Sequence, residues 1–197
     1  QVGSSAASDV YKRQVVGEDK TAVGKPRPFT DYIEEMRQVT KSSLVDIMLM
    51  SASSAEQLVG EGIFNDSPVT PAVRLNDATD IWSQRFSSYG NKNPKNFRSA
   101  NLNVVKDFVD LGLFSITFSN DLNSDLNFMS QFNDFVSEIK DIEMNYFLEI
   151  FNPKIDIGIH SDEIPKYVND CIVKTLAGLT SSAVSYTHLR AHETSRN

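Results

Sequence analysis

The chain has one cysteine, Cys171, in 197 residues, so no disulfide can form within it, and a lone thiol fits a reducing, cytoplasmic setting. Histidine is nearly as scarce, with three residues. No apolar run approaches the roughly 18 residues of a membrane span, so no membrane contact is expected. No Gly-x-Gly-x-x-Gly follows any apolar segment, which argues against a dinucleotide-binding sheet. Cations are the minority charge, with 19 Lys and Arg against 26 Asp and Glu, a net of −7. Sequence-independent nucleic-acid binding depends on neutralising phosphates, so no nucleic-acid partner is expected. There is no internal repeat and no low-complexity tract.

The two ends differ from the middle. Residues 4–14 (SSAASDVYKRQ) back-translate without a mismatch into a sequence that resembles the transposase adapter of tagmentation libraries. Residues 184–194 (VSYTHLRAHET) resemble the reverse adapter in the same way. On that resemblance, residues 1–14 and 184–197 are expected to be adapter-derived and disordered, and the domain to run from 15 to 183. The reading frame would then continue in both directions in its parent DNA. Setting aside Lys12, Arg13, Arg190 and Arg196 with Asp9 and Glu193 leaves 15 basic and 24 acidic residues, a net of −9. His188 and His192 leave with the adapter, so His160 remains alone. Zinc sites need three or four convergent ligands, and neither a metal nor a cofactor is expected.

Four segments read as buried strands: 45–51 (VDIMLMS), 69–75 (VTPAVRL), 113–118 (LFSITF) and 146–151 (YFLEIF). They are short, rich in β-branched and aromatic residues, and near-continuously apolar, as suits a parallel sheet covered on both faces. Helical spacing surrounds them. Residues 29–40 carry Phe29, Ile33, Met36 and Val39. Ser53 to Glu56 forms a capping box opening a short helix that stops at Gly60 and Gly62. Residues 101–111 carry Leu102, Val105, Phe108 and Val109. Residues 121–142 place Leu122, Leu126, Met129, Phe132, Phe135, Val136 and Ile139 on one stripe, and 162–179 place Ile164, Tyr167, Val168, Cys171, Ile172 and Leu176 on another.

Alternation of helix and strand argues an α/β fold with parallel strands. Strand starts near 45, 69, 113 and 146 match the roughly 30-residue repeat of a (β/α)₈ TIM barrel. Four βα units would make a partial barrel, with a doubly wound open sheet as the competitor. A half-barrel leaves unpaired outer strands and exposed apolar surface, so residues 15–183 expressed alone are expected to aggregate or dimerise.

Barrel active sites are built at the carboxyl ends of the strands. Ser51 and Ser53 follow the first strand, Arg74, Asn76 and Asp77 the second, with Asp80 beyond, and Asn120 and Asp121 the third. The fourth carries Glu149 and ends at Asn152. Such a set can bind a polyhydroxy or phosphorylated substrate and move protons. Glu149 and Asp77 are the candidate catalytic groups; Arg74, Asn76, Asn120, Asn152, Arg85 and Arg98 the candidate substrate contacts. Glu149 is the sharpest, because a carboxylate between Leu148 and Ile150 is costly to bury unless paired. Its structural reading is an ion pair with a residue such as Arg74. Asn120 and Asp121 also read as helix caps, and Asn76-Asp77 as a turn. Residues 81–106 hold Arg85, Lys92, Lys95, Arg98 and Lys106 with no acid, a local +5. That loop reads either as a phosphate contact or as a solvated surface. Cys171 reads as core and His160 as a loop residue.

The strands 45–53, 115–121 and 146–153, the last closing on Asn152-Pro153, together resemble the class I aldolase-like branch of (β/α)₈ barrels. The resemblance spans about residues 30–180 and carries no single diagnostic motif. It implies Schiff-base chemistry: a strand lysine attacks a carbonyl, and the iminium is the electron sink for making or breaking a carbon–carbon bond. None of the lysines between 15 and 183 lies in a predicted strand. In the family the lysine would sit on the strand after the helix 162–179, where the adapter begins. The expectation is therefore a fragment of a lyase acting on a phosphorylated sugar or keto compound, inactive alone and a homo-oligomer at full length. The alternatives are an isomerase or a magnesium-dependent barrel enzyme with Asp77, Asp121 and Glu149 as oxygen ligands, and a non-catalytic α/β module that binds a small molecule.

Overall fold

The computed structural model describes residues 5–7, of which the backbone alone is considered, 28–80 and 87–180. Helix α1 (Phe29–Ser42) leads into β2 (Ile47–Met50), α2 (Ala52–Gly60) and β3 (Thr70–Arg74). A two-stranded hairpin follows, β4 (Asn76–Ala78) with β5 (Asn96–Arg98), and then α3 (Leu102–Lys106), β6 (Leu111–Thr117), α4 (Leu122–Asp141), β7 (Asn145–Phe151) and α5 (Ile164–Leu176). The first strand, β1 (Ser5–Ala7), lies within the segment expected to stay outside the fold and pairs in parallel with Ile47–Leu49. Backbone groups along the free edge of β2 accept any extended partner, whatever its side chains.

All five strands of the main sheet are parallel, in the order β1-β2-β3-β6-β7, so each strand lies beside the next one in sequence. Parallel crossovers are right-handed, and an order that never reverses therefore sends every helix to the same side. The packing agrees. One residue parity of the strands, with Met48, Met50, Val73, Phe114 and Ile116, packs with Ile33 and Met36 of α1, Leu58 of α2, Leu102 and Val105 of α3, and Phe128, Phe132, Phe135 and Ile139 of α4. Tyr167 and Cys171 of α5 join the same cluster. The other parity forms a separate small cluster made only by strands: Leu49, Ala72 and Leu113, edged by Ile47, Leu111 and Phe147. Among the described residues, then, helices pack on one face of the sheet only, although the strand residues of the other face are buried as well.

The four predicted strands and the helices around them are present, with shifted edges. Ser51, not Ser53, caps α2, its Oγ accepting from the Ser54 amide at 3.4 Å. The cap falls directly at the end of β2, where the chain must turn within one residue. Helix α3 is shorter than the pattern 101–111, because Leu111 already pairs with Asn145 in the sheet. In α4 the buried face is Ser124, Phe128, Phe132, Phe135 and Ile139, while Leu122 and Leu126 are exposed. The aromatic stripe wins because Phe114, Phe132, Phe135 and Tyr146 interlock, with Phe114–Phe135 centroids at 4.6 Å and Phe135 meeting Tyr146 edge-on at 5.2 Å. The loop between Asp77 and Ala100, expected to be irregular, holds the β4–β5 hairpin.

Two details set the geometry of the sheet's carboxyl end. Gly112 in β6 sits against Leu75, and a Cβ there would lie 2.1 Å from Leu75 Cδ1, so only glycine lets β3 and β6 meet as Leu75 folds over. On the outside, Arg37 of α1 clamps Glu61 after α2 with two hydrogen bonds of 2.7 Å. The guanidinium holds the Glu61 carboxyl down at about 2.

Candidate functional site

The helix-free face changes character along the strands. Their amino-terminal halves present Ile47, Leu49, Ala72, Leu111, Leu113 and Phe147. Side chains alternate along a strand, so the residues that continue this face toward the carboxyl ends are Arg74, Ser115, Thr117 and Glu149. Arg74 is opposite Leu113, and Ser115 opposite Glu149. Arg74, Ser115 and Thr117 are buried and Glu149 half-buried, with its Oε2 enclosed.

Arg74 is the unusual member. It is 6% exposed, its Nη1 is buried without a hydrogen-bond partner, and it makes none of the ion pairs among the described residues. The expected structural pair with Glu149 is therefore not formed. Thr117 is similar, at 1% exposure with Oγ1 buried and no partner for it. Buried polar atoms almost always have a partner, and exceptions call for an explanation.

Other candidates have structural duties. Asn76 is buried, and its amide continues the ladder that β3 abandons. Its Oδ1 accepts from the Ser115 amide at 2.7 Å, while its Nδ2 donates to the Ser115 carbonyl at 2.7 Å and to Asn96 Oδ1 at 2.6 Å. Asn96 donates in turn to Gln131 Oε1 at 2.8 Å, which ties the hairpin to α4. With these bonds made, both Nδ2 protons of Asn76 are used, and its Oδ1 keeps one lone pair, which the Ser115 Oγ faces at 3.5 Å. It also lines a cavity of about 110 Å³ on the helix side, with Phe114, Phe135 and Gln131 among its neighbours.

Arg98 is exposed and grips Glu138 of α4 through both guanidinium nitrogens, at 2.7 and 2.5 Å. That hydrogen bonding raises the Arg98 pKa and lowers that of Glu138. It anchors the hairpin from outside, on the helix side of the sheet, by its bonds to α4. Asn120 takes a left-handed conformation, φ 57°, and works as a joint. Its backbone amide donates to Tyr167 Oη at 2.8 Å and its Nδ2 donates to the Ile157 carbonyl at 3.1 Å. Tyr167 donates to Asp125 Oδ2 at 2.9 Å, and burial, then this carboxylate, push its phenol pKa upward. Asp121 caps α4, accepting from Ser124 at 2.8 Å.

Asp77 is buried in the hairpin, where its Oδ1 accepts from the Ala78 amide at 2.9 Å. Asn152 is exposed past the end of β7. Arg85 lies outside the described residues. Cys171 is half-buried against the helix-side core, and burial raises its thiol pKa. Among the described residues no three of His, Cys, Asp and Glu converge on a possible metal position, so Asp77, Asp121 and Glu149 do not form a magnesium set. No described helix is long and apolar enough to cross a membrane.

The structure therefore brings Arg74 and Glu149 to one face and assigns Asn76, Asn120 and Arg98 elsewhere. Sequence reasoning missed Ser115 and Thr117. Their signal was two hydroxyls spaced by two in an otherwise apolar strand, which puts both on one face. No family model matches the chain, and no curated protein matches it.

Proposed function

We propose that this chain is part of a barrel-type carbon–carbon lyase, similar to class I aldolases, that acts on a phosphorylated sugar or keto compound. One observation carries the reading. The polar groups of the helix-free face gather on the carboxyl halves of three adjacent parallel strands, above an apolar floor. Barrels of βα units place their chemistry at that end. A sequential strand order with helices on one side is also how such a barrel begins to close.

In this reading Glu149 exchanges protons with the substrate's hydroxyl or carbonyl, with Asp77 as a second acid–base group, and Arg74 holds its charged end. No described strand contains lysine, so the Schiff-base nucleophile would come from chain beyond Ala183. There the electrons of the broken carbon–carbon bond would pass to the iminium. At full length the enzyme would be a homo-oligomer.

The test is to read the parent DNA past the codon for Ala183 and express the extended chain. A strand with a central lysine should follow. Borohydride added with dihydroxyacetone phosphate should then leave a stable mass adduct on that lysine, and Glu149→Gln should slow turnover by roughly 10²- to 10⁴-fold. An extended frame with no strand lysine, or no borohydride-dependent adduct, would sink the lyase reading.

A further inference from the structure

The helix-free face also states what kind of ligand end it needs. Arginine stays protonated under all ordinary conditions, so a buried guanidinium cannot escape its desolvation cost by losing a proton as lysine or a carboxylic acid can. It needs an anion. None is supplied by the described residues, although Glu149 lies on the same face. Two strand steps of about 4.8 Å separate the backbones of Arg74 and Glu149, roughly 10 Å across the sheet, with a further offset of about 7 Å along the strands. Between them runs β6, on which Ser115 is level with Glu149 and Thr117 lies two residues beyond, roughly 13 Å along the strands from the level of Arg74.

We infer that Arg74 anchors an anion subsite for the charged end of a small ligand, a phosphate or a carboxylate, with the Thr117 hydroxyl as a second donor farther along β6. Arg74 supplies parallel N–H donors, a fork that fits either group. Thr117 supplies an O–H donor whose partner the protein does not provide. Ser115 is partly committed already, its Oγ lying 3.5 Å from Asn76 Oδ1. Arg98 of the basic loop is not the anion contact in this arrangement, since it is held by Glu138.

This rests on the lyase reading only for the identity of the reaction; the subsite itself rests on the buried Arg74. The test is thermal melting and titration calorimetry of the 197-residue chain with inorganic phosphate and, separately, with acetate, in buffer otherwise free of both. One of the two should raise the melting midpoint, which also distinguishes a phosphate from a carboxylate source. Arg74→Met should weaken that anion by roughly 10- to 100-fold. In anion-free buffer it should melt no lower than the parent, because a neutral side chain of similar size removes an uncompensated charge. Thr117→Val should weaken binding by roughly three- to tenfold without unfolding the chain. Should Arg74→Met not fold, Arg74→Lys serves, keeping the charge but losing the fork, with an intermediate loss expected.

The inference is overturned if neither anion stabilises the chain, if the variants bind as the parent does, or if Arg74→Met melts well below the parent in anion-free buffer. Anion binding lost in Arg74→Met, together with no borohydride adduct in the extended enzyme, would keep the subsite and discard the lyase. An adduct formed with undiminished affinity in Arg74→Met would do the reverse.

Discussion

The two faces of the sheet are built from alternate residues of the same strands, yet they solve opposite problems. On the helix side, Phe114, Ile116, Val73 and Met48 meet helices that bury them, and the polar groups that enter are bonded, as Asn76 is to Ser115 and Asn96. On the other side, where no described helix packs, an apolar floor of Leu49, Ala72 and Leu113 gives way to Arg74 and Thr117, each with a buried atom that has no partner. Satisfied polar groups and interlocked rings stabilise a fold. Unsatisfied ones weaken it, and persist where something else benefits from them. The contrast assigns stability to one face, and the proposed subsite gives recognition to the other.

That assignment can be broken at several points. The largest effect should come from Phe132→Ala, which removes a fully buried ring from the Phe114, Phe135 and Tyr146 cluster. A loss of about 3–5 kcal/mol is expected in urea unfolding. A loss near 1 kcal/mol would mean that the helix side is not the main core. Asn76→Ala comes next. It strands the Ser115 amide and carbonyl and the Asn96 side chain, for about 2–3 kcal/mol, with little change in anion affinity. Were it instead to abolish anion binding while leaving stability intact, the division between faces would fail.

The smallest effect tests the outer clamp. Arg98 lowers the Glu138 pKa from its ordinary 4.5, so the pair's contribution is complete above that value and disappears as pH falls through the lower folded value. Both side chains are more than a third exposed, and solvent screening limits the contribution to less than about 1 kcal/mol. A double-mutant cycle of Arg98→Met with Glu138→Gln should show this coupling at pH 7 and none near pH 2. A coupling several times larger would show that the hairpin is held by this pair rather than by Asn76 and Asn96.

Sequence alone determined the four main strands, the helices beside them and the parallel α/β class, because burial writes a periodicity of two or 3.6 residues into each segment. It also brought Arg74 and Glu149 forward, since a charge inside an apolar strand is conspicuous wherever the strand lies. It did not show that Asn76, Asn120 and Arg98 tie distant parts of the fold together. Each is committed to a partner twenty or more positions away, namely Asn96 and Ser115, Ile157 and Tyr167, and Glu138. Nor did it separate Leu126 from Phe128 in α4, because both fit a helical stripe and only the aromatic cluster opposite selects between them. Which parity of each strand met the described helices and which faced the other way was decided by the tertiary structure. Strand order and the hand of the crossovers are properties of pairing between distant segments, and no local pattern encodes them.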